Sequence, residues 1–114
     1  MPYINTTVTK ALTDADTEAL TAAFGRAIEK IPGKTEEWLM LNFEGGAKMA
    51  FRGDRTGEYC YLEVSILGSS DRESYNSLVA ALTEAVTERL GIAPSNIYVK
   101  IEETELWGWR GELF

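Results

Sequence analysis

Histidine is absent from this chain of 114 residues, and cysteine occurs once, as Cys60. Without histidine, Ser-His-Asp and Cys-His nucleophiles and most zinc chemistry are excluded together. A lone cysteine excludes an internal disulfide framework, a CxxC redox pair and a cysteine-rich zinc site. No apolar run approaches the roughly 18 residues that a membrane-spanning helix needs. Basic residues are also scarce: 11 Lys+Arg against 18 Asp+Glu leave a net charge of −7. A phosphate backbone or an anionic bilayer attracts a cationic face, so neither nucleic acid nor membrane is an expected partner. A local basic pocket for a small anion stays compatible with that charge. The opening Met1-Pro2-Tyr3-Ile4-Asn5 carries no basic segment and no long apolar run. It is not a secretory signal, and cytoplasmic residence is the expectation.

What is present fits one globular domain over residues 1–114, with 45% apolar and 25% charged residues. The two halves, 1–57 and 58–114, follow one pattern at an offset of 58 residues. Tyr3 and Ile4 fall on Tyr61 and Leu62, Leu20 and Phe24 on Leu78 and Leu82, Gly33 on Gly91, and Leu41 and Phe43 on Val99 and Ile101. Identities are few, but the periodicity changes in the same order in both halves. A strand is predicted over Pro2–Thr9. Thr13 then reads as the N-cap of a helix whose apolar stripe runs from Leu20 to Ile31, and Pro32-Gly33 stops it. A strand over Trp38–Glu44 closes the first half. In the second half a strand is predicted over Glu58–Leu67, and Ser69-Ser70-Asp71 offers caps for a helix that ends at Gly91. A strand over Asn96–Glu102 and an extended tail at Trp107–Trp109 follow. Two βαβ units, each a parallel strand pair with its helix on one face, predict a two-layer α/β (α+β) sandwich. Its four-stranded sheet carries both helices on the same side. No glycine-rich nucleotide loop follows a strand.

Side chains alternate across a strand. One predicted face is apolar: Ile4, Val8, Leu39, Leu41, Phe43, Cys60, Leu62, Val64, Ile66, Ile97, Val99 and Ile101. The other carries Tyr3, Asn5, Thr7, Trp38, Met40, Asn42, Tyr59, Tyr61, Glu63, Ser65, Tyr98 and Lys100. That face is too aromatic for free solvation and too polar for a dry core, which fits a homo-oligomer built sheet against sheet. Alternation alone does not choose between dimer and trimer.

Few residues can carry chemistry. The carboxylates lie mostly on helix faces and in loops, where solvation explains them. Cys60 falls on the apolar face, and core packing accounts for it. Arg52-Gly53-Asp54 matches an adhesion triplet, a motif too short to carry weight. Pro2 differs, because removal of Met1 would leave it as a secondary amine. Burial or a nearby cation lowers the pKa of such an amine toward neutrality, where it serves as a general base. With Met1 in place its nitrogen is an amide without useful basicity.

A proline at position 2 opening the first strand, the duplicated βαβ pattern and the closing Trp107-Gly108-Trp109 with Phe114 resemble the tautomerase superfamily. The resemblance is to its macrophage migration inhibitory factor (MIF) and D-dopachrome tautomerase family. It also rests on Pro32-Gly33-Lys34, Met49-Ala50-Phe51-Arg52-Gly53, Val64-Ser65-Ile66, Ser74-Tyr75, Glu88-Arg89-Leu90-Gly91-Ile92 and Ile97-Tyr98-Val99. The resemblance implies a homotrimer with three pockets at subunit interfaces. It implies cofactor-free and metal-free keto–enol tautomerisation of a small aromatic 2-oxo acid, of the phenylpyruvate or dopachrome type. Residue by residue, Pro2 would be the base, Lys34 the cation beside the substrate carboxylate, and Tyr98 of a neighbouring subunit the donor to the substrate oxygen. Ser65 and Ile66, the latter through its backbone amide, would form the pocket floor, and Trp107, Trp109 and Phe114 its apolar wall. The chain departs from the family in places. Glu58 and Tyr61 stand where the mammalian cytokine has its CxxC pair, and Trp107 where a smaller residue is usual. Lys100 stands where an asparagine is frequent at the pocket rim, and as a second substrate-binding cation it would tighten anion binding or shift substrate preference. The alternative implied by the same resemblance is a cytokine-like protein that binds a host receptor and leaves the cell without a signal peptide.

Overall fold

The computed structural model describes residues 1–114. Strand β1 spans Pro2–Val8, helix α1 Asp14–Ala27, β2 Met40–Glu44, β3 Cys60–Leu67, helix α2 Arg72–Leu90 and β4 Ile97–Thr104. A short hairpin, β5 Gly108–Trp109 and β6 Glu112–Leu113, ends the chain. The main sheet has the order β2-β1-β3-β4. β1 pairs parallel with β2 and β3 parallel with β4, and β1 and β3 join the halves antiparallel. The two-layer sandwich predicted from the repeat is therefore present, with four strands and two long helices. No helix is long and apolar enough to cross a membrane.

Local signals set the element ends. Thr13 and Asp16 form a reciprocal capping box, Thr13 Oγ1 accepting from Asp16 N at 3.1 Å and Asp16 Oδ2 from Thr13 N at 3.0 Å. Asp71 caps α2 through Ser74 N at 2.7 Å. Gly91 ends α2 at φ 73°, a left-handed conformation that costs glycine nothing. Lys10 Nζ donates to Leu90 O at 3.1 Å, so a cation also satisfies the negative end of that helix.

The core is a single cluster between sheet and helices. Ile4, Val8, Leu62, Val64 and Ile66 from the central strands meet Leu20, Phe24 and Ile28 from the first helical segment and Leu78, Leu82 and Val86 from α2. Cys60 belongs to this cluster, and burial pushes its thiol up to about 12, which keeps it protonated. The edge strands are only partly covered. Leu41, Phe43, Val99 and Ile101 pack against the core from half-buried positions. Thr6 sits among these apolar groups with its hydroxyl unpartnered, a buried polar group that alternation had passed over.

Three differences from the sequence reading bear on the site. Glu36–Trp38 forms a 3-10 turn, so β2 begins at Met40 and Trp38 leaves the sheet. Tyr59 is buried rather than on the open face, because the preceding loop folds over it: its hydroxyl donates to Asp54 Oδ2 at 2.7 Å and its ring packs on Phe51. The tail is a hairpin rather than one extended segment. Its turn places Arg110 at φ 55° and Gly111 at φ 82°, the paired positive φ values that tight hairpins require.

Candidate functional site

The N-terminal end of β1 opens into a cleft of about 1150 Å3. Met1, Pro2 and Tyr3 supply one side, Ser65 and the end of β4 (Glu102–Thr104) another. Trp38, Leu39, Met40 and Leu41 form a third wall, and Leu106, Trp107 and Trp109 of the tail close it. All three tryptophans of the chain therefore line one cleft. Trp38 and Trp109 meet edge to face at 5.0 Å, and Phe114 lies behind Trp109 at 5.9 Å. Such perpendicular contacts favour aromatic pairs beyond their buried area. Phe114 N donates to Trp107 O at 3.0 Å, which fixes the tail that carries these rings.

Lys34 reaches the same end of the sheet from the turn after the first helix. Its Nζ donates to Leu67 O at 3.0 Å, while Leu67 N donates to Met1 O at 3.1 Å. The chain terminus, Leu67 and Lys34 thus form one connected group. Desolvation first, then the hydrogen bond and charge of Lys34, push the Met1 amine down to about 6. Both causes disfavour the charged ammonium. Pro2 itself is buried, opposite Ile66.

The ladder bears on the amide read as a floor donor. In the β1–β3 pairing, Thr9 N donates to Tyr59 O and Leu67 N to Met1 O, so hydrogen-bonded pairs alternate at odd positions of β1. Pro2 and Ile66 fall between them, and the Ile66 N–H faces β4. The Ile66 side chain is fully buried in the core. The amide turned toward the chain terminus is that of Leu67, a residue that apolar alternation alone gave no reason to select.

The remaining sequence-derived residues separate into two groups. Ser65, Trp107 and Trp109 line the cleft. Tyr98 does not. The register aligns Pro2 with Ile66 and Glu103, but Thr7 with Tyr61 and Tyr98. Five residue steps separate the two rows, roughly 17 Å at strand rise. Tyr98 is 62% exposed and packs edge-on against Phe51 at 5.0 Å, above a second, apolar recess formed with Met49, Tyr59 and Tyr61. Lys100 lies between the two rows. It pairs with Glu102 at 2.9 Å and Glu63 at 3.8 Å, and the Glu102 carboxylate is the main cause holding its pKa above the usual lysine range.

Arg52-Gly53-Asp54 occupies a tight turn whose two central residues both have positive φ. The Asp54 carboxylate is engaged by Thr56 N, Thr56 Oγ1 and the Tyr59 hydroxyl, which hold it down to about 2. An adhesion motif needs that carboxylate free, so the triplet acts here as a turn. No group of His, Cys, Asp or Glu is arranged to hold a metal ion.

Comparison with known proteins agrees with this geometry. Residues 61–113 match the family described as Tautomerase enzyme. The fold is similar to that of MIF2 from Leishmania major, with 28% identity over 100% of this chain and 97% of that one and a TM-score of 0.93. It is also similar to a macrophage migration inhibitory factor homologue from Prochlorococcus marinus, with 26% identity, 98% of each chain covered and a TM-score of 0.87. A protein designated Pt0534, solved after inactivation by 2-oxo-3-pentynoate, shares the fold at 22% identity, with 90% of this chain and 85% of that one covered and a TM-score of 0.77. No curated protein sequence matches the chain. The chain thus shares the fold of MIF homologues, and its second half matches the tautomerase family.

Proposed function

We propose that the chain, once Met1 is removed, is a cofactor-free keto–enol tautomerase of small aromatic 2-oxo acids, phenylpyruvate being the simplest. The observation that carries this reading is the amino terminus. It sits in an apolar cleft beside Lys34, in surroundings that push an amine down to about 6. The same burial and the same Lys34 charge lower the pKa of a Pro2 amine, which favours the unprotonated form that serves as a general base. Pro2 takes a proton from the carbon next to the carbonyl, the electron pair moves to the carbonyl oxygen, and the proton returns to that oxygen. Lys34 holds the carboxylate, and the Leu67 amide, freed of Met1 O, offers a donor to substrate oxygen. Tryptophans 107 and 109 hold the aromatic ring, with Phe114 behind them and Ser65 at the floor.

One chain leaves this site without the Tyr98 hydroxyl donor, since Tyr98 lies at the far end of the sheet. The open sheet face exposes Met40 at 68% and Tyr98 at 62%, large side chains that a neighbouring subunit could cover. A trimer that covers this face and brings Tyr98 of a neighbouring subunit to Pro2 completes the site. Lys100 then arrives at the rim already neutralised by its own carboxylates.

The test is phenylpyruvate ketonisation followed by ultraviolet absorbance, on protein whose intact mass shows Met1 removed. Turnover that collapses in Pro2→Gly supports the reading. Absence of turnover with Pro2 demonstrably free overturns it and favours a cytokine-like binding protein on the same fold.

A further inference from the structure

No lysine or arginine lines the cleft itself, and the one guanidinium on its tryptophans, Arg110, lies over the Trp109 ring at 5.3 Å, away from Glu37 in the chain. The cleft's charged lining residues are Glu37, Glu102 and Glu103, and Lys34 stands behind the chain terminus with its ammonium on Leu67 O. The three carboxylates are not equivalent. Glu102 is held by Lys100 at 2.9 Å, and Glu103 accepts from the Tyr75 hydroxyl and from Ser70 N. Glu37 has no hydrogen bond and no ion pair with any residue of the chain. It sits in the 3-10 turn beside Trp38, whose ring meets Trp109 at 90°. Trp109 already carries the Arg110 guanidinium, but the Trp38 indole with the unpaired Glu37 carboxylate next to it is the chemistry that attracts an organic cation and repels an anion.

We propose that Glu37, with Trp38, sets the charge selectivity of this site: it favours an aromatic 2-oxo acid whose distal end is cationic or neutral and rejects one that carries a second carboxylate. The inference rests on the tautomerase reading and deepens it. The two ends of the cleft then have opposite preferences. Lys34 and the chain terminus receive the 2-oxo carboxylate, and the Glu37 end receives the far side of the ring. The orientation of the substrate follows from that polarity.

The experiment measures kcat/KM of the Met1-free protein on phenylpyruvate, as the reference for turnover, and on its 4-trimethylammonio and 4-carboxy derivatives. The cationic substrate is expected to exceed the dianionic one by at least about tenfold at low salt, a ratio that shrinks as salt screens the rim. Glu37→Gln is expected to pull the ratio toward one and Glu37→Lys to invert it. Glu29→Gln, on the helical layer away from the cleft, removes the same net charge and is expected to leave the ratio in place. Equal rates on the two charged substrates, or a ratio that moves as much in Glu29→Gln as in Glu37→Gln, would overturn the proposal. No turnover of any of the three is the separate failure of the tautomerase reading. In that event, binding of the two charged compounds by calorimetry still decides the charge preference: tighter binding of the cationic compound, weakened by Glu37→Gln, supports it, and equal affinity overturns it.

Discussion

The two ends of the sheet are both rich in aromatic side chains, yet they are chemically different. At one end the chain terminus, Lys34 and Leu67 form a hydrogen-bonded group inside a cleft walled by tryptophan. At the other, Tyr98, Phe51 and Tyr59 form an apolar recess whose one strong polar contact, Tyr59 to Asp54, is internal. The first end perturbs an amine, while the second exposes a phenol. On the proposed reading each holds part of what proton transfer next to a carbonyl needs, and neither holds all of it. The antiparallel join of β1 to β3 keeps the two ends apart within one chain, so that reading requires a neighbouring subunit to unite them.

Experiments that separate the two ends sharpen this contrast. Pro2→Gly should have the largest effect, lowering kcat by about 10²–10⁴-fold, the usual contribution of a positioned base. Tyr98→Phe, at the far end, should lower kcat by about 10²-fold through loss of one donor to the developing oxyanion. Mixed trimers refolded from Pro2→Gly and Tyr98→Phe chains should then regain activity, since some interfaces receive an intact Pro2 and an intact Tyr98. Failure to regain activity would break the two-ends account while leaving the role of Pro2 standing. Lys34→Ala should act mainly on KM, by about tenfold, because it removes one charge-assisted contact to the carboxylate.

A smaller effect comes from pH. On the proposed reading, burial and the Lys34 charge lower the pKa of the Pro2 amine in the trimmed protein below the ordinary value for such an amine. Its kcat/KM should then fall as pH drops through that lowered value and level off above it. In the untrimmed protein the unfolded chain binds more protons than the folded one between about 6 and the ordinary value of 8.0. Its stability should therefore rise with pH across that window. The smallest change is expected from Asp54→Asn. It weakens the turn over Tyr59, and thermal unfolding should report a modest loss without an effect on the Pro2 end.

Much of this architecture was legible from local signals. The cap at Thr13, the stop at Gly91 and the strand alternation of Ile4, Val8, Leu62, Val64 and Ile66 all act within a few residues, and each is found where the pattern placed it. The repeat announced two parallel pairs because βαβ order leaves few alternatives. Trp38 escaped the reading because its alternation continues that of β2, and only the 3-10 turn at Glu36–Trp38 turns it into the cleft. Tyr59 escaped for a similar reason: burial by the loop that precedes it overrides alternation. Ile66 and Leu67 differ by one residue, and which amide faces the terminus depends on ladder register, a property of two strands.

The sequence by itself determined the elements, the apolar face, the exclusion of histidine and disulfide chemistry, and a proline at position 2. Those follow from composition and from interactions between near neighbours. Tertiary structure decided that the terminus meets Lys34, that three tryptophans share one cleft, and that Tyr98 lies at the opposite end. Such facts depend on which strands pair and in what register, and pairing is settled by long-range burial of the whole sheet rather than by any short stretch of chain.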